Sequence, residues 1–252
     1  MASNLSLSLL SIVAEEALLL SLPPENTLIA GVDEVGRGAL FGPVVAAAVV
    51  FPPAAAVQLR QLGVKDSKQL TPKRRAALVP LIHNLAIAYQ VRYASVREID
   101  RLNILQASLL AMKRAVVRLS VQPGFCLIDG PQPIPGLALP QQPTVKGDQN
   151  LHAIAAASIL AKVWRDELMV RLSRKYPDYD LAANKGYGSP RHRLALQQLG
   201  PSPYHRLSFR PCQSPGIEKP ARQVKQENFP LPIGSFPAEV VPTPQWPTDG
   251  NL

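Results

Sequence analysis

Four acidic residues stand where elements are expected to begin or end: the pair Asp33 and Glu34, Asp129 before Gly130, and Asp148 after Lys146-Gly147. Carboxylates at strand ends offer the hard oxygen donors that Mg²⁺ or Mn²⁺ prefer, and such ions keep several waters. Two ions about 4 Å apart activate a water and stabilise the leaving oxygen of a phosphodiester. Adjacent residues on a regular strand point to opposite faces, so Asp33 and Glu34 are expected to share a site only where the strand turns. Gly36 and Gly38 supply such a turn. Taken singly, each acid has an ordinary alternative as a turn or cap residue.

Gly36, Gly38 and Gly42 follow in the spacing G-x-G-x-x-x-G. That is one residue too long for a dinucleotide-binding fingerprint, and a strand-like run follows where the fingerprint needs a helix. The turn instead exposes backbone N–H and C=O groups, which suit a ribose 2′-OH. Lys65, Lys68, Lys73, Arg74 and Arg75 cluster near a helix N-terminus, where phosphate is favoured. Arg171, Arg174 and Lys175 read as a solvated helix face. Tyr187, in the loop Asn184-Lys185-Gly186-Tyr187-Gly188, has a ring able to stack on a sugar or base or to pack on the surface. His83, His152, His192 and His205 show no metal spacing, and Asp166 pairs with Lys162 four residues earlier. Cys126 and Cys212 make neither a disulfide framework nor a zinc knuckle, which argues for a reducing compartment.

The elements that position these residues follow from local pattern. Thr27 to Val32 reads as a strand entering the turn Asp33–Gly38, and the apolar run Pro43 to Phe51 as a second, fully buried strand. Thr71-Pro72 opens a basic helix as N-cap and N1. Ile87, Tyr89, Val91 and Tyr93 alternate as a third strand, and Val96 to Leu119 is helical with a break near Asn103. Phe125 to Ile128 is a short buried strand ending at Asp129-Gly130. A proline-rich loop covers 131–143, a brief strand covers Gln142 to Val145, a long helix runs from about Leu151 to Lys175, and a short helix follows Pro190. Strands alternating with helices indicate an α/β domain with a mixed sheet.

A length of 252 residues with 46% hydrophobic and 18% charged residues excludes a wholly disordered chain. With 27 basic against 18 acidic residues the net charge is +9 and the pI about 9.8, pointing to nucleic acid first and an acidic membrane surface second. No stretch of 18 apolar residues occurs, so no membrane span is expected. Residues 1–25 form an N-terminal extension, in which Leu5 to Leu20, interrupted by Glu15-Glu16, reads as an amphipathic helix rather than a signal peptide. Nine prolines fall in the 42 residues from Pro211 to Leu252, a segment read as a disordered tail. That tail holds three basic and four acidic residues, which leaves +10 on residues 1–210.

Together the segments resemble ribonuclease HII, the bacterial type 2 ribonuclease H family, from about Ala30 to Phe209. The most specific motif is Ala30-Gly-Val-Asp-Glu-Val-Gly-Arg-Gly38. Asp66-Ser67-Lys68, Glu98-Ile99-Asp100 with Asn103-Ile104-Leu105, and Leu127-Ile128-Asp129-Gly130 follow in family order. Lys146-Gly147-Asp148, Ala156 to Lys162 through Arg165-Asp166, and Lys185-Gly186-Tyr187 complete the set. The resemblance implies an α/β ribonuclease H-like fold, a mixed five-stranded sheet flanked by helices, with a small helical C-terminal portion and a catalytic domain over residues 26–210. It implies a cytoplasmic monomer, without membrane association, that cleaves the RNA strand of RNA–DNA hybrids and single ribonucleotides embedded in duplex DNA. Cleavage would fall on the 5′ side of the ribonucleotide, leave 3′-OH and 5′-phosphate ends, and need Mg²⁺ or Mn²⁺ in a two-metal site. By position, Asp33, Glu34, Asp129 and Asp148 resemble the catalytic, metal-binding acids. Gly36, Arg37 and Gly38 resemble the turn that reads the 2′-OH, Tyr187 the residue that stacks at the RNA–DNA junction, and Lys68 and Lys146 basic positions near the phosphates. Two rivals are a DNA nuclease or integrase of the same fold and a non-catalytic nucleic-acid-binding module.

Overall fold

In the computed structural model, residues 27–52 and 55–213 are described. Expectations for the N-terminal helix, and for the tail beyond Gln213, lie outside them. Five strands form one sheet in the order β3-β2-β1-β4-β5. They are β1 (Ile29–Val35), β2 (Val44–Phe51), β3 (Ala88–Ala94), β4 (Phe125–Asp129) and β5 (Gln141–Thr144). The pairs β1–β2 and β2–β3 are antiparallel, whereas β1–β4 and β4–β5 are parallel.

Why β2 reads as a continuous apolar run is now plain: both of its faces are covered. Val45, Ala47, Val49 and Phe51 enter one core cluster, and Val44, Ala46, Ala48 and Val50 the other. The first core lies under α1 (Ala55–Gln61), α2 (Pro72–Leu85) and α6 (His152–Ser173). The second lies under α4 (Ile104–Val117), which follows α3 (Val96–Leu102). Alanines 155–157 bring α6 close to the sheet, and at Gly31 a Cβ would stand 2.1 Å from the Ala153 carbonyl carbon. Glycine there is a packing requirement.

Local signals account for the helix ends. Thr71 Oγ1 accepts from the Arg74 N–H at 3.2 Å, with Pro72 in the first turn. Ser95 and Glu98 close a reciprocal capping box on α3. Asn103, at φ 74°, ends α3 and caps α4 by accepting from the Gln106 N–H at 3.1 Å, which is the expected break. The proline-rich loop is pinned by Gln141, whose side chain bonds the Ile134 N–H and the Ile134 and Leu137 carbonyls.

Differences from expectation are few. β1 runs on to Val35, so Asp33 and Glu34 lie within the strand rather than in the turn: β2 still pairs with them, at Ala47 and Ala46. The long helix ends at Ser173, and β5 starts one residue early. Two short helices, α5 (Gly147–Asn150) and α7 (Leu181–Asn184), join the expected α8 (Pro190–Leu199). The C-terminal portion continues through a 3₁₀ turn, Arg210–Cys212, with Cys212 buried, so ordered chain extends past residue 210.

Candidate active site

β1 keeps its antiparallel partner to Val35 but its parallel partner only to Val32, which pairs with Ile128. Past that point the β4 side of β1 opens, at the carboxyl ends of two parallel strands, where crevices of α/β sheets form. Asp33 and Glu34 stand on this opening, and Asp129 ends β4 beside it. Asp148 arrives from α5: its N–H donates to Asp129 Oδ1 at 3.4 Å. Gly147 permits this approach, because a Cβ there would lie 2.4 Å from Ile154 Cδ1. Lys68, on the 3₁₀ turn Ser67–Gln69 capped by Asp66, donates from Nζ to Asp148 Oδ2 at 3.2 Å. The four acids and Lys68 therefore meet at one sheet edge.

Burial sets the electrostatics. Asp33 is 4% exposed and Asp148 3%. Burial, then the charges of Glu34 and Asp129, push the Asp33 carboxyl well above the usual range, against hydrogen bonds from Ser158 and from the Glu34 N–H at 2.6 Å. Burial also raises Glu34, opposed by Arg37 at 3.3 Å and reinforced by Asp129. Asp129 is raised by burial and by Asp148, against the N–H groups of Asp148 and Gly147 and the charge of Lys68. Burial works against the Lys68 ammonium, yet the acids around it, Asp148 foremost, leave it raised. Among the described residues no three His, Cys, Asp or Glu side chains are already drawn together as a metal cage. What is present is an all-oxygen donor set whose members repel one another, and that set fits hard divalent cations.

The glycine turn beside the acids is held from beneath by Arg165. Gly36 has φ +91°, and a Cβ there would fall 2.2 Å from Arg165 Nε, so the position excludes other residues. At Gly38 nothing lies within 4 Å of a Cβ, which leaves its outer side open to a ligand. Tyr187 is not loose in its loop. It bridges to Ala39, and its ring packs with Arg165 and Lys162, 5.4 and 5.7 Å from the centroid. Lys146 is brought near only through its backbone: it is exposed on the left-handed residue opening α5, two positions before Asp148. Arg75, grouped in the sequence with the basic cluster, is 8% exposed and spent on the Ser67 and Leu70 carbonyls and on Asp166, so it is a structural cation. Asp166 also pairs with Lys162 at 2.7 Å, as expected.

Three residues of this neighbourhood, Ser158, Arg165 and Arg206, are given no site role by sequence reasoning. Ser158, on α6, reaches Asp33 and shares a buried 2.9 Å hydrogen bond with Ser67; its place in the motif run Ala156 to Lys162 is its sign in the sequence. Arg165 and Arg206 are both 0% exposed and clamp the 37–43 loop, the latter donating to the Arg37 and Gly42 carbonyls at 2.7 and 3.0 Å.

Carboxylates crowded at this edge are a liability until divalent cations join them, and on a ribonuclease H-like sheet that defines a metal-dependent nuclease. Comparison with known proteins narrows the class. A family model described as Ribonuclease HII matches residues 30–212. Ribonuclease HII of Acaryochloris marina is 63% identical over 186 residues, spanning 74% of this chain and 94% of the relative. That of Trichormus variabilis is 60% identical, spanning 74% and 83%. Among solved structures, the ribonuclease H2 of Pyrococcus horikoshii OT3 superposes with a TM-score of 0.65 at 29% identity, covering 74% of this chain and 95% of that one. The chain belongs to the ribonuclease HII family. It is a metal-dependent ribonuclease, from a family of endonucleases acting on RNA–DNA hybrids. No helix among the described residues is long and apolar enough to cross a membrane.

Proposed function

We propose that this chain hydrolyses the RNA strand of RNA–DNA hybrids, and the 5′ side of single ribonucleotides embedded in duplex DNA, leaving 3′-OH and 5′-phosphate ends. Asp33, Glu34, Asp129 and Asp148 would hold two divalent ions, Mg²⁺ or Mn²⁺. Bound there, the ions lower the pKa of the attacking water and stabilise the departing 3′ oxygen. The observation that carries this reading is the mutual repulsion of Asp33, Glu34 and Asp129 at a buried edge where Lys68 and Arg37 are the cations acting on them. Such an edge repels a bare phosphate and accepts one only with added positive charge.

The chain's own groups divide the remaining work. Ser158 orients the Asp33 carboxylate, and the Asp148 N–H orients that of Asp129. Lys68 lies within reach of a phosphate oxygen while holding Asp148, and exposed Lys146 approaches the nucleic-acid backbone from α5. Backbone groups of Gly36, Arg37 and Gly38, fixed by the arginines below, read the 2′-OH and so choose the strand and position to cut. Tyr187 stacks where ribonucleotide gives way to DNA. The partner is thus an RNA–DNA hybrid or ribonucleotide-containing duplex, met by a monomer in the cytoplasm.

The test is cleavage of a DNA duplex carrying one ribonucleotide, with and without Mg²⁺ or Mn²⁺, beside an all-DNA duplex. Metal-dependent cutting at the ribonucleotide alone is expected; equal cutting of the all-DNA duplex would reject the reading.

A further inference from the structure

His192 and His205 form a fully bonded buried pair outside the acid edge. They are 0% and 1% exposed, with Nε2 atoms 3.0 Å apart. Their partners fix both tautomers. The Tyr187 carbonyl, which only accepts, lies 2.9 Å from His192 Nδ1, so that nitrogen carries its proton. The Ser202 N–H, which only donates, points at His205 Nδ1 at 2.9 Å, so that nitrogen is bare. The proton of His205 therefore sits on Nε2 and is donated to the bare Nε2 of His192. Burial pushes both rings below the ordinary imidazole range, His205 to about 3, which keeps the chain of bonds neutral. The surroundings are aromatic: Tyr179 and Phe41 stand 4.7 and 5.0 Å from the His205 ring.

The far end of this chain of bonds is the residue that matters. Tyr187 lies between Gly186, at φ +82°, and Gly188, and its carbonyl accepts from the Ser189 N–H at 2.8 Å as well as from His192. We infer that His192 and His205 act as a positioning relay that pins the Tyr187 carbonyl and thereby sets discrimination for a single ribonucleotide against a uniform hybrid. The inference rests on the junction role proposed above for Tyr187. A uniform hybrid offers a 2′-OH in every register, so loss of one stacking contact is tolerated. A single ribonucleotide offers one productive register, and a wandering ring forfeits it.

Rates of cutting at a single embedded ribonucleotide and in a uniform hybrid would be compared for wild type, Tyr187→Ala, His192→Phe and His192→Asn. His192→Phe keeps an aromatic ring but donates nothing, and should lower the ratio of the two rates about tenfold. His192→Asn restores an N–H near the Nδ1 position and should recover part of the ratio. A wild-type ratio in His192→Phe, with the ratio lost in Tyr187→Ala, overturns the relay; a wild type cutting neither substrate overturns the functional reading beneath it. Ring ¹⁵N–¹H correlation spectra of the wild type need neither substrate nor variant. They should show His192 protonated at Nδ1 and His205 at Nε2 at neutral pH, and the opposite tautomers would also overturn the relay.

Discussion

Two buried charged regions lie side by side in this molecule and are built on opposite terms. Beneath the glycine turn, Arg165 donates to the Pro43, Lys185 and Phe41 carbonyls at 3.3, 2.8 and 3.0 Å, and Arg206 to two more. Burial lowers both guanidinium pKa values, and with the charge of Arg165 brings that of Arg206 to about 9, yet the two cations share five carbonyl acceptors and only Arg206 Nη2 lacks a partner among the described residues. At the strand edge above, burial and mutual repulsion raise three carboxyls that the chain leaves undercompensated. The arginine region is closed and holds shape; the acidic region is open-ended and awaits cations. Burial of charge alone does not mark function; a cluster of like charges without acceptors or donors enough to hold it does.

Removing a charge should therefore have opposite consequences for stability in the two regions. Asp33→Asn is expected to lower cleavage at least about a thousandfold with Mg²⁺ while hybrid binding persists. The same change should raise the melting temperature of the metal-free protein, because it relieves repulsion. Turnover near the wild-type level would remove Asp33 from the chemistry. Arg165→Met orphans three carbonyls and should cost about 3–5 kcal/mol in unfolding free energy, read by urea denaturation. A variant as stable as wild type would show that the clamp is dispensable.

The sequence exposed these two regions unequally. β2, the Thr71-Pro72 start and the break at Asn103 were legible because each has a local cause: an apolar run, a cap with proline, an asparagine that tolerates positive φ. The acids were legible by type and by family motif. Their setting was not, because β1 continues past its turn signal through pairing with β2, a tertiary effect. The clamp was invisible for a related reason. Arg165 sits at ordinary spacing on α6, and the loop it holds lies more than a hundred residues away. Arg75 misled for the same reason, having basic neighbours in sequence and an interior setting in space.

Acid titration gives a smaller contrast. Asp33, Glu34 and Asp129 have folded pKa values above 3.8, 4.5 and 3.8, so the folded state binds protons more tightly than the unfolded chain there. Their contribution to stability is fully present below those ordinary values and is lost as pH rises through the raised ones. Metal-free protein should thus lose stability from these groups as pH climbs from about 4 towards neutrality. Saturating Mg²⁺ should flatten that part of the curve. Melting temperatures measured across pH with and without Mg²⁺ decide it, and coincident curves would argue against cation binding by these acids.

Glu98 provides the weakest effect and the opposite slope. Its carboxylate accepts from Arg114 at 2.6 Å and from the Ser95 N–H at 2.8 Å, which hold it down at about 2 although burial works the other way. This contribution is present above 4.5 and is lost as pH falls towards 2. Glu98→Gln should cost about 1 kcal/mol at neutral pH, since the pair is partly exposed and the capping box is only half broken. Cleavage should be unchanged, for Glu98 lies with α3 and Arg114 rather than with the acids of β1. A drop in cleavage beyond twofold would mean that an acid already compensated inside the chain can still serve the reaction, and the division between satisfied and unsatisfied charge would fail at its simplest case.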